Sequence, residues 1–340
     1  MINAIHRRES HVFHLTIVFA ILALSMTNGT TIVSAQTPNS PVVIHDIQYV
    51  PGGDPAEMLD LYLPGQASAA PVPLIVVVHG GGWLSGDRSW ESGQCMHWVG
   101  LGYAVANVEY RFSQKAVFPA QIQDCQAAVR WLRANSKKYH IDPRHFGATG
   151  GSAGGHLVAL LGTSGGKHVF PPIGGNEKQS DRVQAVIDLY GPADFTTVCS
   201  QAIADKSISF GYNLTTGGGN AAYAFLIGVK QLDEDKAKAE AVSPVHYVSR
   251  DNPPFLILHG TADSSVPFAQ SVELADDLQH AGVTALLQRV PNAGHGGPAF
   301  DLPPAWVLRE AFFDKYLRHK NVEVALLPDS ALTIAPAPSK

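Results

Sequence analysis

The chain has 340 residues, of which 45% are hydrophobic and 16% charged, and its formal net charge is −5. This composition is too apolar for a disordered chain and lacks the long apolar runs of a polytopic membrane protein. The basic residues form no long run, so neither nucleic acid nor an anionic membrane surface is expected as a partner. A chain of this length can bury a large core, and α/β proteins of this size commonly form a single domain.

Residues 1–35 are predicted to form a signal peptide. A basic start at His6–Arg8 precedes an apolar run from Val12 to Met26, which is shorter than the ~20 residues that span a bilayer. Small residues end at Ala35, and cleavage is expected after it. An uncleaved membrane anchor is the alternative. We therefore predict a secreted or periplasmic protein that is not stably inserted in a membrane after cleavage.

Two kinds of predicted strand follow along the chain. Residues 42–50 and 58–63 alternate apolar and polar positions around a Pro-Gly-Gly-Asp-Pro turn, which predicts an antiparallel hairpin at a sheet edge. Residues 74–78 are continuously apolar, as in a strand buried on both faces of a parallel sheet. Similar short apolar runs occur further along, at 103–108, 145–149, 184–189, 255–258 and 284–290.

Helical patterns lie between these strands. In 119–138 the apolar residues fall on one stripe, and further helices are predicted at 153–162, 267–281 and 304–319. Strands that alternate with helices predict an α/β fold with a doubly wound, mostly parallel sheet and an antiparallel N-terminal edge. We expect one domain over residues 36–320.

Three segments do not fit this alternation. Residues 164–182 are rich in Gly and Pro, and residues 196–246 contain a triple glycine followed by the charged helical stretch 230–241. Both are predicted to be small cap insertions over the carboxyl edge of the sheet, where α/β proteins build their ligand sites. The tail at 321–340 ends in Ala-Pro-Ala-Pro-Ser-Lys and is predicted to be loose.

The chain has three cysteines, Cys95, Cys125 and Cys199, which is an odd number for an exported protein. Their spacing suggests no metal site. Cys95 and Cys125 are expected on crossover helices at opposite faces of the sheet, which argues against their pairing. At most one disulfide can form, and unpaired buried thiols are the preferred interpretation.

A nucleophile is predicted at Ser152, within Gly-Gly-Ser-Ala-Gly at residues 150–154. This G-x-S-x-G pattern follows a predicted strand and opens a predicted helix, which is the context that a nucleophile elbow requires. Glycine permits the tight turn, and a serine at a helix N-terminus stands where negative charge is favoured. A simple Gly-Ser loop is the alternative, and this context argues against it.

Residues 79–83, His-Gly-Gly-Gly-Trp, directly follow the most apolar strand. Glycines let the backbone approach a substrate and point N–H groups at it, and acyl transfer needs such donors because its tetrahedral intermediate carries a negative oxygen. The predicted oxyanion hole consists of the N–H groups of Gly81, Gly82 and Ala153. Trp83 is a candidate wall of the substrate pocket. The alternative is a plain Gly-rich turn. The segment is unlike a phosphate loop, because it lacks the Gly-Lys-Ser/Thr that follows in such loops.

A serine hydroxyl needs a general base, and the base needs an orienting carboxylate. His295 is the predicted base because it lies between the last predicted strand and the last predicted helix. The acid is expected in the loop after the preceding strand, where Asp263 stands, and Asp194 after an earlier strand is the alternative. His259 at a strand end and His280 within a helix are interpreted as packing or surface residues.

These motifs resemble those of bacterial α/β-hydrolases related to hormone-sensitive lipase. The resemblance rests on residues 79–83, on Gly-Gly-Ser-Ala-Gly-Gly-His at 150–156 and on His-Gly-Thr-Ala-Asp-Ser-Ser-Val-Pro at 259–267. The subgroup that it indicates is the exported carboxylesterases that include acetyl-xylan and feruloyl esterases. The resemblance covers residues from about 45 to about 318, and it is weakest over 196–240.

The resemblance implies hydrolysis of carboxylic esters without a cofactor or metal ion, with Ser152 as nucleophile, Asp263 as acid and His295 as base. The expected substrates are short-chain acyl esters or polysaccharide-linked esters such as acetyl and feruloyl groups. A peptidase or an arylformamidase-type amidase would use the same residues and is an alternative. A non-catalytic interaction protein is a more distant one, since such a protein usually has a broken triad.

Overall fold

The computed structural model describes residues 40–66, 68–205 and 221–333. The predicted signal peptide at 1–35 lies outside these described residues, and so does the triple glycine of the second predicted insertion. None of the described helices is both long enough and apolar enough to cross a membrane.

The strands and helices alternate along most of the chain. The strands are β1 (Val42–Gln48), β2 (Met58–Leu63), β3 (Val72–Val78), β4 (Ala104–Val108), β5 (Ile141–Gly151), β6 (Ala185–Leu189), β7 (Phe255–Gly260) and β8 (Ala285–Val290). The helices are α1 (Ser92–Gly100), α2 (Ala120–Ala134), α3 (Ala153–Ser164), α4 (Val198–Ala204), α5 (Ala221–Ile227), α6 (Lys236–Val242), α7 (Phe268–His280) and α8 (Pro303–Leu317).

All eight strands form one sheet in the order β1-β2-β4-β3-β5-β6-β7-β8. The β1–β2 and β2–β4 pairs are antiparallel, and every pair from β4 to β8 is parallel. The predicted mostly parallel sheet with an antiparallel N-terminal edge is therefore confirmed. Because the parallel strands share one direction, their carboxyl ends meet at one edge, and that edge carries the candidate site.

The strand β3 shows why its sequence is continuously apolar. Side chains of a strand alternate between the two faces of a sheet. Leu74, Val76 and Val78 pack into the core under α2, α3 and α7, whereas Ile75 and Val77 pack into the core under α1 and α8. All five side chains are fully buried, because helices cover both faces of the sheet.

The cysteines lie as far apart as the topology predicts. Cys95 on α1 and Cys125 on α2 belong to the cores on opposite faces of the sheet, and neither forms a disulfide. Burial raises the pKa of the Cys95 thiol and of the Cys125 thiol, so both stay protonated. The interpretation as buried thiols is wrong for Cys199, which is only partly buried on α4.

The structure corrects the placement of residues 164–182. This segment leaves the end of α3 and runs along α2, where Arg130 donates a hydrogen bond to the Ile173 carbonyl and Arg133 to the carbonyls of Ser180 and Arg182. It contributes no lining residue to the cavity that holds Ser152. The segment therefore covers a helix rather than the carboxyl edge of the sheet.

Part of the second insertion does reach the carboxyl edge, since Ala222 and Tyr223 on α5 line the cavity above Ser152. The predicted helical stretch 230–241 is shorter than expected. Its regular part is α6, which begins at Lys236 because the Asp235 carboxylate accepts a hydrogen bond from the Lys238 N–H and caps the helix.

The predicted loose tail is also corrected, as far as Thr333. The Gln288 side chain on β8 accepts a hydrogen bond from the Leu327 N–H and donates one to its carbonyl. Leu332 is fully buried against the core under α8. Because β8 is an edge strand, this segment covers apolar surface that would otherwise face water. Residues 334–340 lie outside the described residues.

Candidate active site

Ser152 lies in the sharp turn between β5 and α3. Its backbone has φ +56° and ψ −120°, a conformation that L-residues rarely adopt and that is typical of strained functional turns. A Cβ on Gly150 would lie 2.6 Å from the Val78 carbonyl oxygen, and one on Gly154 would lie 2.1 Å from the same oxygen. Glycine at both positions is therefore required for β3 and the turn to approach so closely.

The structure brings Ser152, His295 and Asp263 together from three loops at the carboxyl edge. The Ser152 hydroxyl lies 2.8 Å from His295 Nε2, and His295 Nδ1 lies 2.8 Å from Asp263 Oδ2. The Asp263 side chain is fully buried, whereas that of His295 is about one-quarter exposed to the cavity. Since Asp263 can only accept, Nδ1 carries the ring proton and Nε2 is left to accept one from Ser152.

Four donors surround the Asp263 carboxylate. Oδ1 accepts hydrogen bonds from the N–H groups of Ser265 and Val266, and Oδ2 accepts from His259 and His295. Burial alone raises the pKa of Asp263, but the hydrogen bonds and charge of the two histidines outweigh it and hold the pKa well below its usual range. The carboxylate is therefore ionised at neutral pH.

His259 is the residue at this site that sequence reasoning missed. The side chain, interpreted from the sequence as a packing or surface residue, is buried, and its Nε2 faces two acceptors, Asp263 Oδ2 at 3.2 Å and the Val266 carbonyl at 3.1 Å. Its Nδ1 lies 2.6 Å from the Ser271 hydroxyl. Nε2 therefore donates to these acceptors, and Nδ1 is hydrogen-bonded to the Ser271 hydroxyl. The usable signal was a histidine at the end of β7, four residues before the acid.

Residues 79–83, named here the glycine loop, turn beside Ser152. The Gly81 carbonyl accepts hydrogen bonds from the N–H groups of Leu84 and Ser85, both at 3.1 Å. Gly81 has φ +107° and Gly82 has φ +62°, which is the region that glycine adopts without strain. Within the described part of the chain, the N–H groups of both glycines have no protein acceptor. They remain available to an oxygen of a ligand.

A histidine anchors the start of the glycine loop. His79 Nε2 lies 2.9 Å from Glu109 Oε1, and its Nδ1 lies 2.7 Å from the Gly80 carbonyl. The Tyr110 ring stacks on the imidazole with centroids 4.6 Å apart, and the Tyr110 hydroxyl donates to the His79 carbonyl. These contacts hold the loop against the elbow, where a Cβ on Gly80 would come within 2.9 Å of the Gly151 carbonyl.

A cavity of about 780 Å³ opens above Ser152. Its walls include the glycine loop, Trp83, Tyr190, Tyr223 and His295. Trp83 is only 2% exposed, because its ring packs edge-on against His156 and Tyr223, so the structure places it in the wall. Ala153 follows Ser152 at the first position of α3, and its side chain is buried.

The alternative acid, Asp194, is not brought to His295. Its Oδ1 accepts hydrogen bonds from the Thr196 backbone and hydroxyl, at 2.7 and 2.6 Å. The carboxylate thus caps a local turn. Among the described residues, no group of three or more His, Cys, Asp or Glu side chains is placed to hold a metal ion.

Known proteins match both the sequence and the fold. A family model described as BD-FAE matches residues 59–278, which is more than half of the chain. The chain belongs to the BD-FAE family. Esterase LipQ of Mycobacterium tuberculosis is 33% identical over 260 residues, which are 76% of this chain and 57% of LipQ. The chain thus spans less than two thirds of that relative's length.

Solved structures match the fold as well, and two of them are at least 30% identical to this chain. A truncated form of a carbohydrate esterase from gut microbiota has a TM-score of 0.73 at 30% identity, and the match covers 84% of this chain and 99% of that one. A bifunctional GH43-CE protein of Bacteroides eggerthii has a TM-score of 0.66 at 31% identity, over 79% of this chain and 38% of that one. The predicted α/β-hydrolase family and fold are confirmed by these matches.

Proposed function

We propose that this BD-FAE protein hydrolyses carboxylic esters through an acyl-enzyme formed on Ser152. The observation that carries the proposal is the unbroken hydrogen-bonded series from Ser152 through His295 to Asp263. This series opens into a cavity beside two glycine N–H groups that have no protein acceptor in the described chain. A nucleophile, a base, an orienting acid and donors for an oxyanion are the groups that acyl transfer needs.

The reaction proceeds in two steps at the same groups. Ser152 Oγ attacks the ester carbonyl carbon while His295 Nε2 takes the hydroxyl proton, and the negative oxygen accepts hydrogen bonds at Gly81, Gly82 and Ala153. The intermediate collapses when His295 returns that proton to the departing alcohol. Water, deprotonated by the same nitrogen, then attacks the acyl-enzyme, so that the acid leaves and Ser152 regains its proton. Asp263 holds the imidazole in the required tautomer throughout.

We propose short-chain acyl esters, and acetyl or feruloyl esters linked to polysaccharides, as the substrates. Two observations support this choice. The matched structure from gut microbiota is described as a carbohydrate esterase, and the relative LipQ is described as an esterase. The cavity of about 780 Å³ is also wide enough for a sugar-sized substrate.

The test is hydrolysis of p-nitrophenyl acetate by the wild-type protein and by Ser152→Ala. We expect kcat to fall by about 10⁶, since triad members act as a unit. His295→Ala should lose a similar amount. A fluorophosphonate probe should label Ser152 in the wild type. Undiminished turnover by Ser152→Ala would contradict the proposal, and faster cleavage of a matched acetyl amide would indicate an amidase instead.

Export to the periplasm or the medium is a further part of this proposal, and it rests on the sequence of residues 1–35 alone. Sequencing the N-terminus of the protein recovered outside the cytoplasm should give a chain that begins at Gln36. Recovery of the chain with residues 1–35 intact in the membrane fraction would indicate the uncleaved anchor.

A further inference from the structure

A second cavity of about 510 Å³ lies next to the cavity above Ser152 and shares Trp90, Glu91 and Tyr190 with it. We name it the side cavity. Its wall combines aromatic rings with charged and amide side chains, among them Trp90, Glu91, Gln94, Tyr190, Asp301 and Arg309.

The side cavity lies on the His295 side of the site. The Tyr190 ring packs against the His295 ring with centroids 4.8 Å apart and against Phe300 at 4.9 Å, and Gly297 of the His295 loop lines the side cavity. In the proposed reaction, His295 returns its proton to the departing alcohol, whereas the carbonyl oxygen faces the glycine loop. The alcohol part of the ester therefore extends toward the side cavity.

Polar side chains in the side cavity have unused hydrogen-bonding capacity. Gln94 donates to the Glu91 carboxylate, but its own Oε1 is buried without a hydrogen bond in the described structure. Arg309 is only 3% exposed, and its Nε and Nη2 donate to the carbonyls of Ala305 and Phe300. No hydrogen bond among the described residues uses its Nη1. Burying a polar atom such as Gln94 Oε1 without a partner is unfavourable, and a ligand hydroxyl that donates to it would remove this cost.

Trp90 offers an open aromatic face at the junction of the two cavities. It is 62% exposed, which is unusual for a tryptophan. The neighbouring Trp306 is different, because the Arg309 guanidinium lies 3.7 Å from its ring centroid and the His97 ring lies 4.0 Å away. Trp90 is therefore the ring in this wall that can receive a flat ligand.

We propose that the side cavity binds a sugar ring, which is the alcohol part of the ester. A pyranose has an apolar C–H face, which packs on Trp90, and hydroxyl groups that both donate and accept. Glu91 accepts, Arg309 donates and Gln94 does both, so the wall matches such a ligand. A simple alkyl chain would leave Gln94 Oε1 unpaired, and the carboxylates of Glu91 and Asp301 oppose a polyanion. This inference rests on the proposed function.

The test compares two esters with the same acyl group, acetylated xylo-oligosaccharide and ethyl acetate. Ethyl acetate is too small to reach the side cavity, so the ratio of the two kcat/KM values measures recognition of the sugar. We expect Trp90→Ala to lower this ratio about tenfold, as the loss of an aromatic contact does. Gln94→Leu should lower it several-fold. Val307→Ala, which removes an exposed side chain on α8, is the matched control.

A measurement without turnover supports the comparison. In Ser152→Ala, free xylotriose should change the tryptophan fluorescence, and the change should vanish when Trp90→Ala is added. A wild type without preference for the sugar ester, or variants with an unchanged ratio, would overturn the inference while ester hydrolysis stands. If neither ester is cleaved and the fluorophosphonate does not label Ser152, the proposed function itself fails.

Discussion

Two loops flank Ser152, and they act through different parts of the polypeptide. The glycine loop presents backbone N–H groups that have no protein acceptor in the described chain, and its functional residues carry no side chain. The acid loop, residues 259–266, instead directs side chains and N–H groups at one buried carboxylate. The first loop presents donors to an oxygen that arrives with the substrate, whereas the second surrounds a carboxylate that belongs to the protein.

The difference follows from the task of each loop. A developing oxyanion needs donors that are fixed in advance, and a backbone in a rigid turn holds such donors without side-chain entropy. A catalytic imidazole needs a fixed tautomer, which an ionised acceptor on Nδ1 imposes. Adding a side chain should therefore damage the glycine loop, whereas removing or neutralising one should damage the acid loop.

Of the changes within the two loops, the largest effect is expected from Asp263→Asn. The Asn oxygen should take the place of Oδ1 and accept from the N–H groups of Ser265 and Val266. Its NH₂ group would then face the donors of His259 and His295, and His295 must turn to the tautomer that cannot accept the Ser152 proton. We expect kcat on p-nitrophenyl acetate to fall by about 10⁴.

Asp194→Asn is the matched control. Asp194 is also a buried acid, but its carboxylate accepts a hydrogen bond from the Thr196 N–H of a local turn and not from His295. It should retain the rate. If Asp194→Asn loses activity and Asp263→Asn keeps it, the acid has been assigned to the wrong loop.

In the glycine loop, Gly81→Ala is expected to lower kcat by about 10²–10³, which is the loss for a missing oxyanion donor. The new Cβ would lie 1.8 Å from the Ser85 carbonyl oxygen, and φ at this position is +107°. The loop must therefore move. Gly100→Ala at the end of α1 meets nothing within 4 Å and should keep both rate and Tm. Full activity in Gly81→Ala would exclude this loop from the reaction.

Substitution of His259 tests whether Asp263 needs all four of its hydrogen-bond donors for catalysis. His259→Leu removes one N–H from Asp263, which raises the pKa of that carboxyl and loosens its position. We expect kcat to fall about tenfold, an order-of-magnitude estimate for one positioning hydrogen bond. The carboxylate would then interact more strongly with protonated His295, so the acid limb of the kcat/KM pH profile should move to higher pH.

His259→Gln keeps a donor of similar reach and should recover part of the rate. A His259→Leu protein with an unchanged pH profile and an unchanged rate would show that His259 only packs. A fall in Tm without a shift of the profile would lead to the same conclusion.

The sequence predicts the parts of the site that follow from topology. Ser152, Asp263 and His295 each come directly after a parallel strand, and the carboxyl ends of such strands must meet at one edge. His259 could not be assigned in this way, because its contact with the acid depends on how the loop after β7 folds back. The side cavity was equally hidden, since Glu91, just before α1, and Arg309 on α8 are far apart in the sequence and line one cavity only in the folded chain.

In the fold, too, some features could be predicted from the sequence and others depended on packing contacts. The buried strands were visible as apolar runs, because burial on both faces leaves no polar position. The course of residues 164–182 was not, since arginine hydrogen bonds to backbone carbonyls leave no periodic pattern. The ordered tail to Thr333 was missed because its composition resembles that of a linker, while the exposed edge at β8 decides its packing.

The smallest effect is expected where the glycine loop depends on a side chain. Glu109 accepts from fully buried His79 and also lies near Arg88. Glu109→Ala should leave a buried imidazole N–H without a partner, which costs about 1–3 kcal/mol of unfolding free energy. Glu109→Gln keeps the acceptor and should lose less. Because the N–H groups of Gly81 and Gly82 stay on a loop that Tyr110 still supports, kcat should fall only by roughly twofold to fivefold. A loss as large as that of Gly81→Ala would mean that the backbone loop has no rigidity of its own.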